Sequence, residues 1–201
     1  MPDRYLYSMK ESIILFLTGL FFIGEASAQV SFEKIDTTMK VGKTGFKVTC
    51  RNKEIASNQL SVRPIGFESP ANESMNFPVK GRISSVQVDD FNHDGNADLI
   101  MFIYSDSNAR HGTALALISD GTKAIMPCVL PDVALDGKIN TGYKGYDQFT
   151  LMEGTLLQKF PVFKPQDKET PTGGNRVVQY TFGRGENGGF KFTVVRTYDT
   201  H

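Results

Sequence analysis

Residues 90–104 read DFNHDGNADLIMFIY, and the change of character at the middle of this stretch decides the fold. The second half, "DLIMFIY" from Asp98, is a continuous apolar run of strand length. A half-buried strand alternates apolar and polar residues, so an uninterrupted run predicts a strand covered on both faces. The first half sets Asp90, Asn92, Asp94, Asn96 and Asp98 at every second position around Gly95. That spacing has two readings. In one, alternate oxygens of a tight loop converge on a cation, with Asp90, Asn92 and Asp94 at positions one, three and five. Gly95 then makes the sharp turn, Asn96 offers its carbonyl and Asp98 falls at position nine. Calcium is the ion expected, in a structural role, because it takes six to eight oxygens and tolerates irregular geometry. In the other reading the stretch is an Asp-Gly turn with solvated acids around it.

On either side of this stretch the patterning is that of strands. "GFKVTC" from Gly45, "QLSVRPIGF" from Gln59, "RISSVQV" from Arg82 and "TALALIS" from Thr113 alternate with period two. "DQFTLMEGTLLQKFPVF" splits at Glu153-Gly154 into a hairpin, and "NRVVQYTF" and "FKFTVVRTY" flank the glycine-rich turn "GRGENGG". Helical periodicity is missing after Ala28. The expectation is an all-β chain: a single-domain antiparallel β-sandwich or partly closed barrel over residues 29–201. "ESPANESMNFPVKG" and "PVFKPQDKETPTGGN" read as surface loops.

The N-terminus predicts export. Arg4 and Lys10 precede the apolar run Ser12–Gly24, and "EASAQ" places Ala26 and Ala28 at the spacing cut by signal peptidases. The run is shorter than the ~20 residues that cross a bilayer, so Met1–Ala28 reads as a cleaved signal peptide, with a periplasmic or secreted product lacking a membrane span. Its loss removes two of the 22 basic and three of the 22 acidic side chains, which leaves the chain nearly neutral and gives no argument for nucleic acid. Cys50 and Cys128 are the only cysteines, and in an oxidising compartment they are expected to form one disulfide. Two separately buried thiols are the alternative.

Beyond the apolar strand, "YSDSNARHG" is polar and bracketed by strands, so it should project as a loop from a rigid base. Three further elements follow: Gly142-Tyr143-Lys144-Gly145-Tyr146-Asp147-Gln148-Phe149, then Lys159-Phe160-Pro161-Val162-Phe163, then Gly173-Gly174-Asn175-Arg176 with Tyr180. In this order, from about Val79 to Tyr198, the chain resembles the periplasmic inhibitors of invertebrate-type lysozyme. The acidic loop separately resembles the strand–loop–strand calcium loops of integrin-type propeller repeats, although the chain carries one copy.

The inhibitor resemblance implies a lysozyme partner and a loop inserted into its cleft. The matching segment is Ser105–Gly112, in which Ser105 matches the family's serine, Asp106 stands where glycine is expected and Asn108 or Ala109 where tyrosine is. Candidate contact residues are Ser105, Asp106, Ser107, Arg110 and His111, with Tyr143 and Tyr146 beside them. Self-pairing into a homodimer stays open. The alternative function is a calcium-dependent carbohydrate-binding or adhesion module. His93, His111 and His201 fit no ligand or triad spacing, and no acid–base carboxylate pair emerges, so no enzyme is expected.

Overall fold

The computed structural model describes residues 32–200 apart from 109 and 153; the expected leader, Met1–Ala28, lies outside them. The described chain is all-β and antiparallel, arranged as three four-stranded meanders in which each strand pairs with its neighbour in sequence. The first sheet holds β1 (Ile35–Val41), β2 (Thr44–Cys50), β3 (Asn58–Ile65) and β4 (Met75–Val79). The middle sheet holds β5 (Arg82–Asp89), β6 (Asp98–Tyr104), β7 (Gly112–Asp120) and β8 (Ala124–Val129). The last holds β9 (Gln148–Met152), β10 (Thr155–Pro161), β11 (Asn175–Arg184) and β12 (Phe190–Thr200). None closes into a barrel, which settles the choice left by the sequence in favour of a sandwich-like stack.

β6 is buried along its whole length and explains the stack. Leu99, Met101 and Ile103 join Phe46, Val48, Leu60 and Val62 in a core shared with the first sheet. Ile100 and Phe102, on the opposite face, join Leu156, Phe160, Val178, Tyr180 and Phe192 in a core shared with the last sheet. Successive strand side chains point to opposite faces, so the six consecutive apolar residues Leu99–Tyr104 in one strand demand two partners. Burial of each large side chain contributes roughly 1.5–3 kcal/mol, so this strand anchors both cores. Ala114 and Ala116 lie opposite Phe102 and Ile100, and the small partners make room for the large ones on that face.

Three strands escaped the sequence reading, namely β1, β4 and β8. All are edge strands. β4 carries Pro78 and β8 carries Pro127, and a proline is tolerated at an edge because its missing N–H faces no further strand. Buried amides tie the first sheet to the middle one. Asn52, at φ +58°, donates to the Glu33 and Ile83 carbonyls and accepts from the Ile83 N–H, each at 2.7 Å. Asn58 donates to the Gly81 carbonyl at 2.7 Å.

The expected Cys50–Cys128 bridge is not formed: both thiols are free and buried. Cys50 belongs to the core on one side of the middle sheet and Cys128 to the core on the other. A disulfide needs Cα atoms within about 7 Å, whereas packed sheets stand ~10 Å apart. Each behaves as a small hydrophobe, and burial pushes the Cys128 thiol up to about 11.

Candidate functional site

The acidic loop connects β5 to β6 and is organised around Asp98. This carboxylate is fully buried and accepts four hydrogen bonds: Phe91 N at 2.7 Å, Asn92 N at 3.3 Å, Ser119 N at 2.6 Å and Ser119 Oγ at 2.8 Å. It therefore pins the loop to the end of β7. Burial raises Asp98 to about 6, with the four donors opposing that rise. Asp90 accepts from the N–H groups of Asp94 and Gly95 at 3.0 and 2.9 Å. Asp94 accepts from Asn96 N at 2.9 Å and from Gly121 N at 2.8 Å. Burial raises Asp94, but these N–H donors outweigh it and hold the group below its ordinary value. Asn92 accepts from Asp94 N at 3.1 Å and donates to the Ser119 carbonyl at 2.6 Å. The five predicted residues are thus gathered in one loop, but the side-chain oxygens of Asp90, Asn92, Asp94 and Asp98 accept from backbone N–H groups. Among the described residues no group of three or more His, Cys, Asp or Glu side chains is arranged to hold a metal ion. Asp98, with all of its roughly four acceptor positions filled by protein donors, does not fit the ninth-position ligand role.

The loop between β6 and β7 is closed from within by Asp106. Its carboxylate accepts Arg110 N at 2.7 Å and His111 N at 3.1 Å, and lies 2.9 Å from His111 Nδ1. Ser105 N donates to the His111 carbonyl at 3.2 Å, which joins the two ends of the loop. Burial raises Asp106, yet the Arg110 and His111 contacts prevail and keep it ionised below the usual carboxylate range. Asp106 is therefore the residue that shapes the loop.

A second carboxylate holds the loop from below. Asp147 is 2% exposed and accepts Gly112 N at 2.9 Å and the Tyr143 hydroxyl at 2.7 Å through one oxygen, and Gln158 Nε2 at 2.8 Å through the other. Gln158 accepts in turn from the Tyr180 hydroxyl at 3.0 Å, and the Tyr104 hydroxyl donates to the Asp147 carbonyl at 2.7 Å. Burial raises the Asp147 carboxyl; Gly112, Tyr143 and Gln158 oppose that. Burial, with the Asp147 charge adding to it, likewise raises the Tyr143 phenol, so it stays a donor. The Asp147 N–H reaches the Arg110 carbonyl at 3.0 Å, so this residue grips both ends of the loop's C-terminal half.

The three sequence elements of the resemblance assemble around this point. Gly142 sits at φ +77°, where an added Cβ would lie 2.7 Å from the Phe163 carbonyl oxygen; Gly145 at φ +86° would place one 2.8 Å from the Arg110 carbonyl oxygen. Phe149 stacks on Phe102 with centroids 4.9 Å apart. Arg176 grips Asp199 with two nitrogens at 2.8 and 2.9 Å and donates a third to the Ile139 and Thr141 carbonyls at 3.0 Å. The motifs build the support under the loop.

The seven candidate contact residues come together. His111 meets the Tyr143 ring edge-on at 6.2 Å, and the Arg110 guanidinium lies 5.0 Å from the Tyr146 ring centre. Ser107 lies at the tip, where its hydroxyl reaches Asn108 at 3.5 Å. Next to the loop runs a groove of about 580 Å³ lined by Ser105, His111, Tyr143, Val129, Asp132 and Ala134. Val129 on its wall and Leu135 beside it are 63% and 85% exposed. Sequence reasoning missed Gln158, Ser119 and this apolar rim. A polar residue inside a strand is the one available signal for Gln158, and its partners lie too far along the chain for any spacing rule. Compared with known proteins, the chain matches no protein-family profile, no curated protein and no solved structure.

Proposed function

We propose that this protein is a secreted or periplasmic inhibitor of lysozyme, invertebrate-type by the motif resemblance, which docks the 105–112 loop and the adjoining groove onto the enzyme's cleft. The observation that carries this reading is the double bracing of the loop, by Asp106 from within and Asp147 from below. A loop already held in one shape loses little entropy when it docks, so more of the contact energy appears as affinity. Lysozyme-type clefts carry two carboxyl groups across a sugar-binding groove, and Arg110 and His111 supply donors suited to them. Tyr146 supports the Arg110 side chain from one face. Exposed Val129 and Leu135 supply apolar area for the enzyme surface flanking the cleft. In this reading the protein performs no chemistry of its own.

Calcium enters the proposal as a structural ion that draws on Asp90, Asn92, Asp94 and the Asn96 carbonyl, with Asp98 kept by its protein donors. Such a site is weak, of the ~10⁻⁴–10⁻³ M class of extracellular modules. The functional test is lysis of bacterial wall by an invertebrate-type lysozyme. Purified protein in molar excess should slow it, and Asp106→Ala, with its loop opened, should need at least about tenfold more protein for the same effect, the equivalent of ~1.4 kcal/mol. Lysis that proceeds undiminished at excess wild-type protein refutes the reading.

A further inference from the structure

The nearly neutral net charge leaves room for a local cationic face. The first sheet packs on the middle sheet through one face only; its other face carries the outward residues of β1, β2, β3 and β4. Along one rung across that face stand Asp36, Thr49, Ser61 and Asn76, and along the next Thr38, Lys47 and Arg63. Lys40, Arg51 and Lys53 extend the same basic surface. Asp36 is neutralised by Lys34, at 3.3 Å, and by Lys47. A groove of about 560 Å³ opens on this face, lined by Lys34, Arg51 and Lys53 together with Thr49, Ser61 and Asn76. Glu54 is its one acidic lining residue. Arg51 and Lys53 are exposed and form no ion pair among the described residues.

We propose that this face binds an anionic polysaccharide of the uronic-acid class. Its carboxylates sit against Arg51 and Lys53, and its hydroxyls meet Thr49, Ser61 and Asn76. The chemistry narrows the occupant. Neighbouring strands stand about 4.8 Å apart, so Thr49, Ser61 and Asn76 on one rung form a row of groups that each donate and accept, suited to the closely spaced hydroxyls of a sugar chain. No aromatic side chain lines the groove, so unstacked nucleic-acid bases have no platform there. No exposed large apolar side chain lines it either, so nothing from the groove would insert into a bilayer. Uncompensated cations beside hydroxyls fit a ligand that carries both carboxylates and many hydroxyl groups. This surface is separate from the lysozyme-facing loop, and its test does not depend on that reading.

The experiment is titration calorimetry of the purified protein with polygalacturonate, using neutral dextran, duplex DNA and phosphatidylglycerol vesicles as comparison ligands. Polygalacturonate should bind and weaken as salt rises, whereas dextran should not bind. The double variant Arg51→Glu, Lys53→Glu should weaken binding at least tenfold with an unchanged melting curve, because both side chains are exposed. Ser61→Ala with Asn76→Ala should weaken it several-fold while keeping the salt dependence. The proposal is overturned if polygalacturonate does not bind, if the charge reversal leaves its affinity unchanged, or if DNA or vesicles bind as tightly.

Discussion

Replacing Asp147 by alanine tests the support under the loop directly. The change strands three donors, the Gly112 N–H, the Tyr143 hydroxyl and Gln158 Nε2, in a site whose side chain is 2% exposed. A buried donor left without a partner costs ~1–3 kcal/mol, so the gross loss is roughly 3–9 kcal/mol. Part is returned, because burial raises the Asp147 carboxyl and the charged form is itself destabilising there. A net loss of ~3 kcal/mol follows, which for a chain of this size lowers the melting temperature by roughly 6–12 °C. Asp147→Asn keeps one acceptor oxygen and should lose about half as much. Thermal unfolding gives the magnitude, and hydrogen exchange gives the location, since the Gly112 N–H should lose protection in the alanine variant before the β6 amides do. A fall under ~1 kcal/mol, or unchanged protection at Gly112, would show that the loop is held by something other than this carboxylate.

Four further outcomes are expected. Burial raises Asp98 from its ordinary value of 3.8 to about 6 in the folded state, so the native state takes the proton first and stability contributed by this residue rises as pH falls from about 6 towards 4. A rise from 3.8 to about 6 corresponds to ~3 kcal/mol, so the unfolding free energy of wild type minus that of Asp98→Asn should change by about that much across the window, and a flat difference refutes the assignment. Gly112→Ala places a methyl group 2.6 Å from Phe149 Cε2 and 2.9 Å from Tyr104 Cε1; denaturant melts should show ~1–3 kcal/mol lost, whereas Gly189→Ala, open to solvent, should stay within ~0.5 kcal/mol. Asp94→Ala should lower the melting temperature more in calcium than in chelator, and equal losses would leave the loop as a hydrogen-bonded turn without an ion. Thiol titration should find both cysteines in denaturant without reductant and almost none in the native protein; none in denaturant would mean that they are bridged after all.

Fold and site were legible to different depths. The alternation of β2, β3, β5 and β7 and the unbroken run of β6 were readable because strand periodicity is local. The edge strands β4 and β8 were hidden by Pro78 and Pro127, which argue against a strand unless the strand's place in its sheet is known. The acidic loop was located from its spacing, but the direction of each carboxylate was not. Spacing says which residues share a loop, whereas the N–H donor that claims an oxygen depends on where the backbone passes.

The sequence by itself determined that the chain is built of strands, that one of them is covered on both faces, and that Ser105–Gly112 is a polar loop between rigid neighbours. Each follows from interactions within a few residues. Tertiary structure alone decided that Cys50 and Cys128 lie on opposite sides of the middle sheet, that Asp98 and Asp147 are buried pins, and that the cations of β1, β2 and β3 gather on one face. Those facts depend on which strands become neighbours and which face each sheet turns inward. Burial and partner choice are properties of the packed sheets, and no stretch of the chain carries them alone.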